Sequence, residues 1–169
     1  MKDESTTMDC SYKRILIAGI GNIFLGDDGF GVEVAQRLLS RSYPQGVQVC
    51  DFVIRGVELA YTLLDDYDTL ILVDATPRGG KPGTLYLIEP DLSARDPEKG
   101  AEAGRVALDA HSMDPVKMLA YAQALGASPH QTLLVGCEPV PFDYGENYTK
   151  MQMGLSEPVQ AAVAEAVTM

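Results

Sequence analysis

Apolar residues along this chain fall into two alternating kinds of run. The first kind is short and continuously apolar: RILIAGIGN from Arg14, VQVCDFV over 47–53, TLILVDA over 69–75, TLYLIE over 84–89 and TLLVGCE over 132–138. Runs of this length, rich in Ile, Leu and Val and bounded by Gly, Pro or Asp, predict strands buried on both faces. The second kind has helical spacing. Val32, Ala35, Leu38 and Leu39 share one side of residues 29–41, with Glu33, Gln36, Arg37 and Arg41 on the other. Val57, Ala60, Leu63 and Leu64 repeat the pattern over 57–64. Asp114-Pro115 reads as an N-cap followed by proline at the first helical position, opening a helix to about Leu125. Leu155, Val159, Ala162, Val163, Ala166 and Val167 form the apolar stripe of a terminal helix.

Unalternating strands separated by helices predict an α/β fold. Three layers are expected: a mostly parallel, twisted, five-stranded sheet with helices on both faces. Residues 1–12 are polar and read as a flexible N-terminal tail, and 13–169 as a single domain without repeats. Residues 90–110, PDLSARDPEKGAEAGRVALDA, carry two prolines and two glycines and read as a long loop, a kind often functional or mobile.

Composition narrows the function. A length of 169 residues suits one domain, and 46% hydrophobic content supplies a sizeable core. The net charge of −11 weighs against nucleic acid or an anionic membrane as the main partner. The cysteines, Cys10, Cys50 and Cys137, are odd in number and lack a C-x-x-C pair. That favours reduced thiols of a cytoplasmic protein over a disulfide framework or zinc knuckle. The N-terminus lacks the apolar core of a secretory signal, and no apolar run nears the ~20 residues that span a bilayer.

In open α/β sheets ligands bind at the carboxyl ends of strands, where the strand order reverses. After the first strand come Asp27 and Asp28. Asp74 ends the third. Asp109, His111 and Asp114 follow the long loop, and Cys137 and Glu138 end the fifth strand. If the first and third strands are neighbours, Asp28 and Asp74 flank the switch point. Two carboxylates and an imidazole suit zinc or nickel with positions left open. Such residues also simply cap helices or bind loop amides. A dinucleotide loop fits poorly: G-x-G-x-x-G needs glycine where Phe24 stands, and two carboxylates precede the helix. A phosphorylation receiver needs a lysine at the end of the fifth strand, which here reads VGCEPV. There is no H-E-x-x-H and no G-x-S-x-G. A Cys137–His111 nucleophile pair is conceivable, but a buried, inert thiol is the simpler reading. His130, beside Pro129, reads as a surface residue.

Taken together, GIGNIFLGDDGFG, ILVDA, HSMDP and LLVGCEP resemble the hydrogenase maturation proteases, endopeptidases that trim the C-terminus of the large subunit of nickel–iron hydrogenases. The resemblance runs from about Arg14 to Val167. It implies a twisted sheet of about five strands between helices. It also implies a divalent metal held by Asp28, Asp74 and His111. The first of these positions is often Glu in the family; Asp28 is one methylene shorter. Some members carry G-T-x-G before the second helix, where this chain reads VIRGVEL and keeps Gly56 without the Thr.

The mechanism implied is aspartic-type peptide hydrolysis, with Asp28 or Asp74 as general base on a water, or a metal lowering that water's pKa. The metal would be nickel already inserted in the large-subunit precursor, with zinc or cadmium as surrogates. Asp27 is expected to be structural, as a cap near the helix. The expected protein is a cytoplasmic monomer whose partner is the precursor. Two other readings stay open: a non-catalytic metal-binding assembly module of the same fold, and an autonomous metallohydrolase with resident zinc.

Overall fold

The computed structural model describes residues 12–53, 56–90, 115–141 and 153–169. Five strands form one sheet: β1 (Ile15–Gly21), β2 (Val47–Val53), β3 (Thr69–Ala75), β4 (Leu85–Ile88) and β5 (Gln131–Cys137). Their order is β2-β1-β3-β5-β4. The first four in that order run parallel, and β4 closes the edge antiparallel to β5. The direction of β4 follows from the connection 76–84. It has no helix to carry the chain back across the sheet, so the next strand starts at the same edge and runs the opposite way.

Strands β1, β2, β3 and β5 each feed both cores, which is why they do not alternate strictly between apolar and polar. On one face Leu16, Ala18 and Ile20 of β1, Phe52 of β2, and Leu70 and Leu72 of β3 meet α2 (Gly56–Thr62), its continuing 3-10 turn (Leu63–Asp65), and α3 (Pro115–Ala124). On the other, Val49, Val73, Val135 and Cys137 meet α1 (Phe30–Leu39) and α4 (Glu157–Ala166) through Phe30, Val34, Ala35, Leu38, Val159, Ala162 and Val163. Side chains of this size contribute about 1.5–3 kcal/mol each when fully buried. The predicted three-layer architecture is therefore the observed one.

The glycines of the first motif serve packing. A Cβ on Gly31 would fall inside the van der Waals radii of the Val73 and Ile20 carbonyl oxygens, and one on Gly19 inside that of the Gly31 carbonyl oxygen. The start of α1 thus lies backbone to backbone on β1 and β3, and this sets where the preceding 3-10 turn, Gly26–Gly29, must stand.

Of the predicted tail, residues 1–11 lie outside the described residues. Tyr12 is exposed, but its hydroxyl accepts a bond from the Gln45 amide at 2.6 Å. The predicted loop lies outside them too, apart from Pro90. No described helix is long and apolar enough to cross a membrane.

Candidate active site

The chain leaves β1 toward β2 on one side and returns to β3 on the other, so the switch point lies between β1 and β3. Asp28 stands there, in the 3-10 turn that leads from β1 into α1. Its Oδ2 accepts a hydrogen bond from the Asn22 N–H at 2.8 Å. Gly21, with φ 139°, lets the Asp28 carbonyl lie directly on the strand end. Burial raises the Asp28 pKa above its ordinary 3.8, and the Asn22 amide offsets only part of that rise. A carboxylate in this state gains from a proton or a cation nearby.

Asp74 is the penultimate residue of β3 and is 7% exposed. Its Oδ1 accepts the Ala75 N–H at 2.9 Å. Ile71, Val73 and Ala75 belong to the core under α1 and α4, and Leu70 and Leu72 to the opposite core. Alternation therefore sends Asp74 toward the α2/α3 side. Asp28 approaches the same carboxyl edge from the α1 side, so a ligand held by both has to lie across that edge. His111, the third residue of the predicted set, lies outside the described residues, as do Asp109 and Asp114. Among the described residues no three His, Cys, Asp or Glu side chains converge on a metal position.

Beside Asp28 opens a cleft of about 450 Å³, lined by Leu25, Asp27, Pro77, Glu138 and Val140 among others. Glu138, just past β5, is among the polar residues that the sequence places at strand ends, but the sequence gives it no role there. It is 4% exposed, and its carboxylate accepts the Arg78 N–H at 2.9 Å, the Gly79 N–H at 3.0 Å and the Tyr86 hydroxyl at 2.7 Å. Burial alone would raise its pKa. The Tyr86 hydroxyl and the N–H groups of Arg78, Gly80 and Gly79 outweigh burial and hold it below its ordinary value. Glu138 thereby fixes the loop after β3, one wall of the cleft. An acidic residue following a strand was the available signal, but the amides that cage it come from a loop some 60 residues earlier in the chain.

The hydrogenase maturation protease family model matches residues 32–169. A putative hydrogenase maturation protease of Methanocaldococcus jannaschii is 32% identical, over 92% of each chain. The hydrogenase expression/formation protein HupD of Rhodobacter capsulatus is 32% identical over 92% of this chain and 70% of its own. Among solved structures, the hydrogenase 2 maturation peptidase of Thaumarchaeota archaeon SCGC_AB-539-E09 has a TM-score of 0.63 at 32% identity, covering 92% of this chain and 94% of that one. The hydrogenase maturating endopeptidase HybD of E. coli has a TM-score of 0.65 at 26% identity, covering 92% and 88%. This chain belongs to the hydrogenase maturation protease family. It is a peptidase, a hydrogenase maturation endopeptidase.

In this maturation protease Asp27 does not cap its own helix. Its Oδ1 accepts the Ser156 N–H at 2.6 Å, and its Oδ2 accepts the Val140 N–H at 2.9 Å and the Ser156 hydroxyl at 2.8 Å. Cys137 is fully buried, and its thiol is pushed up to about 12, first by burial and then by the charges of Asp27 and Glu138. Burial and the neighbouring carboxylates thus favour the protonated thiol, a poor nucleophile. His130 is a surface residue, with Nδ1 3.4 Å from Asp68 Oδ1.

Proposed function

We propose that this maturation protease removes the C-terminal extension of a nickel–iron hydrogenase large-subunit precursor after nickel insertion, and that it recognises the nickel already held there. The observation that carries this reading is the adjacency of β1 and β3, which sets Asp28, in the turn after β1 and lining an open cleft, and Asp74, near the end of β3, along one carboxyl edge of the sheet. Carboxylate oxygens and an imidazole nitrogen suit nickel, and equally zinc or cadmium as surrogates. In this reading Asp28, Asp74 and His111 complete the coordination of a metal that the precursor brings.

Peptide hydrolysis needs a base to take a proton from water as its oxygen adds to the scissile carbonyl carbon. The C–N bond then breaks and the leaving amine takes up a proton. Asp28 suits the role of base. It borders the cleft, where a water can reach its carboxylate. In this reading the reaction runs in the cytoplasm, carried out by a monomer on one precursor.

Asp28→Asn, Asp74→Asn and His111→Ala should each stop processing of nickel-loaded precursor while leaving circular dichroism unchanged. His130→Ala should process at the wild-type rate. Wild-type processing by any of the first three would remove that residue from the site.

A further inference from the structure

The last helix begins in an unusual way. Ser156 is its N-cap, with extended backbone and Pro158 in the first turn, yet its side chain makes no bond to the helix's own amides. A serine here ordinarily accepts the N–H two or three residues on. Instead its hydroxyl and its own N–H both turn to Asp27. With the Val140 amide added, one carboxylate joins the 3-10 turn, the exit from β5 and the start of α4. All three segments line the cleft.

We infer that Asp27 and Ser156 form a latch that orients Asp28 for peptide cleavage, so that both are positioning residues. Backbone packing sets where the turn that carries Asp28 stands, but it supplies no side-chain cap to fix the turn's rotation. The turn is four residues long and bounded by Gly26 and Gly29. Its Asp28 N–H reaches the Leu25 carbonyl only at 3.3 Å. Asp27's bonds fix the rotation of the turn: with Asp27 held toward α4 and the β5 exit, its neighbour Asp28 is delivered to the Asn22 amide at the end of β1. Hydrogen bonds to an ionised carboxylate are stronger than neutral ones, which suits them to this task. Ser156 leaves its own helix uncapped to make them, so the bond serves the turn more than the helix.

The latch rests on the reading of Asp28 as a catalytic residue, and its test is built to separate the two. Ser156→Ala, Ser156→Thr and Asp27→Asn are compared in cleavage of nickel-loaded precursor, with kcat referred to folded protein. Ser156→Ala and Asp27→Asn should lower kcat about tenfold or more with KM within about twofold, because a small displacement of a catalytic group costs rate. Ser156→Thr keeps the hydroxyl and should restore kcat. Unchanged kcat in Ser156→Ala, with only a lower melting temperature, would reduce the latch to a fastener and overturn the inference. If Asp27→Asn does not fold, the two serine variants carry the test. A second readout needs no activity. The Asn22 amide proton, which reports its bond to Asp28, should shift in Ser156→Ala and return in Ser156→Thr. If wild-type protein leaves the precursor intact while that amide shifts, the functional reading fails and the latch stands as a device that orients Asp28, without the cleavage role. If the amide is unmoved in Ser156→Ala, the latch fails.

Discussion

Asp28 and Glu138 border the same cleft, yet the fold treats their charges oppositely. Burial raises the Asp28 pKa, and the Asn22 amide opposes it only in part, so ionisation there costs stability at neutral pH. The sign follows from linkage: a carboxyl whose folded pKa is raised contributes stability below its unfolded value and loses it as pH rises through the folded one. Asp28→Asn keeps an oxygen to accept the Asn22 N–H and removes the charge. It should melt higher than wild type at pH 7, with the difference fading toward pH 3.8, while processing is lost. A lower melting point at pH 7 would contradict the strained-carboxylate account. Glu138 has the reverse sign. Its lowered pKa contributes stability above 4.5 that disappears as pH falls through the folded value. Glu138→Gln puts an amide NH2 against backbone N–H donors, so it should melt lower than wild type at pH 7, with the gap closing as acid protonates the native carboxylate. Thermal melts from pH 3 to pH 7 check both. Cys137, with its thiol near 12, should resist alkylation at pH 8 in the native protein, and Cys137→Ala should retain the wild-type cleavage rate. Loss of cleavage in a folded Cys137→Ala would restore the thiol as a candidate nucleophile.

At the scale of elements, the unbroken apolar runs predicted the strands well because a doubly covered strand leaves no other use for such a run. The spans 47–53 and 69–75 coincide with β2 and β3, and the others agree within a residue or two at each end. The turn before α1 was harder to see. The pattern predicts a helix from 29, but a 3-10 turn over Gly26–Gly29 comes first, and its two aspartates are placed by partners remote in sequence. Likewise Ser156 was not singled out in sequence, and only the folded chain shows it at the start of α4 with its hydroxyl on Asp27. The first-motif glycines were legible as special but not as to purpose. Their purpose, contact between helix and strand backbones, yields a prediction. Gly31→Ala should cost about 3 kcal/mol or more, since backbone on both sides leaves no room for the methyl. Gly126→Ala, with open space around it but φ 106°, should cost only about 1 kcal/mol. Urea melts of the two variants check the contrast, and equal effects would show that the α1–β1 contact is looser than described.

At the scale of the whole molecule, strand order decides where chemistry can occur. Alternating strands and helices predicted the class, and the adjacency of β1 and β3 then brings Asp28 and Asp74 to one edge. The antiparallel course of β4 and the cage around Glu138 were not legible, because both depend on how the 76–84 connection crosses the end of β5. The two cores are built from aliphatic and aromatic side chains on each face of the sheet, with no ligand needed to fill them. Chelation should therefore leave the melting temperature unchanged, unlike a zinc module that unfolds without its ion. The central proposal is that the metal is presented to the carboxylates by the partner. Its most direct test is the intact mass of the large-subunit precursor after incubation with chelator-treated protease, with and without inserted nickel. The account predicts loss of the C-terminal extension from the nickel-loaded precursor alone. Cleavage of nickel-free precursor at the same rate would contradict it.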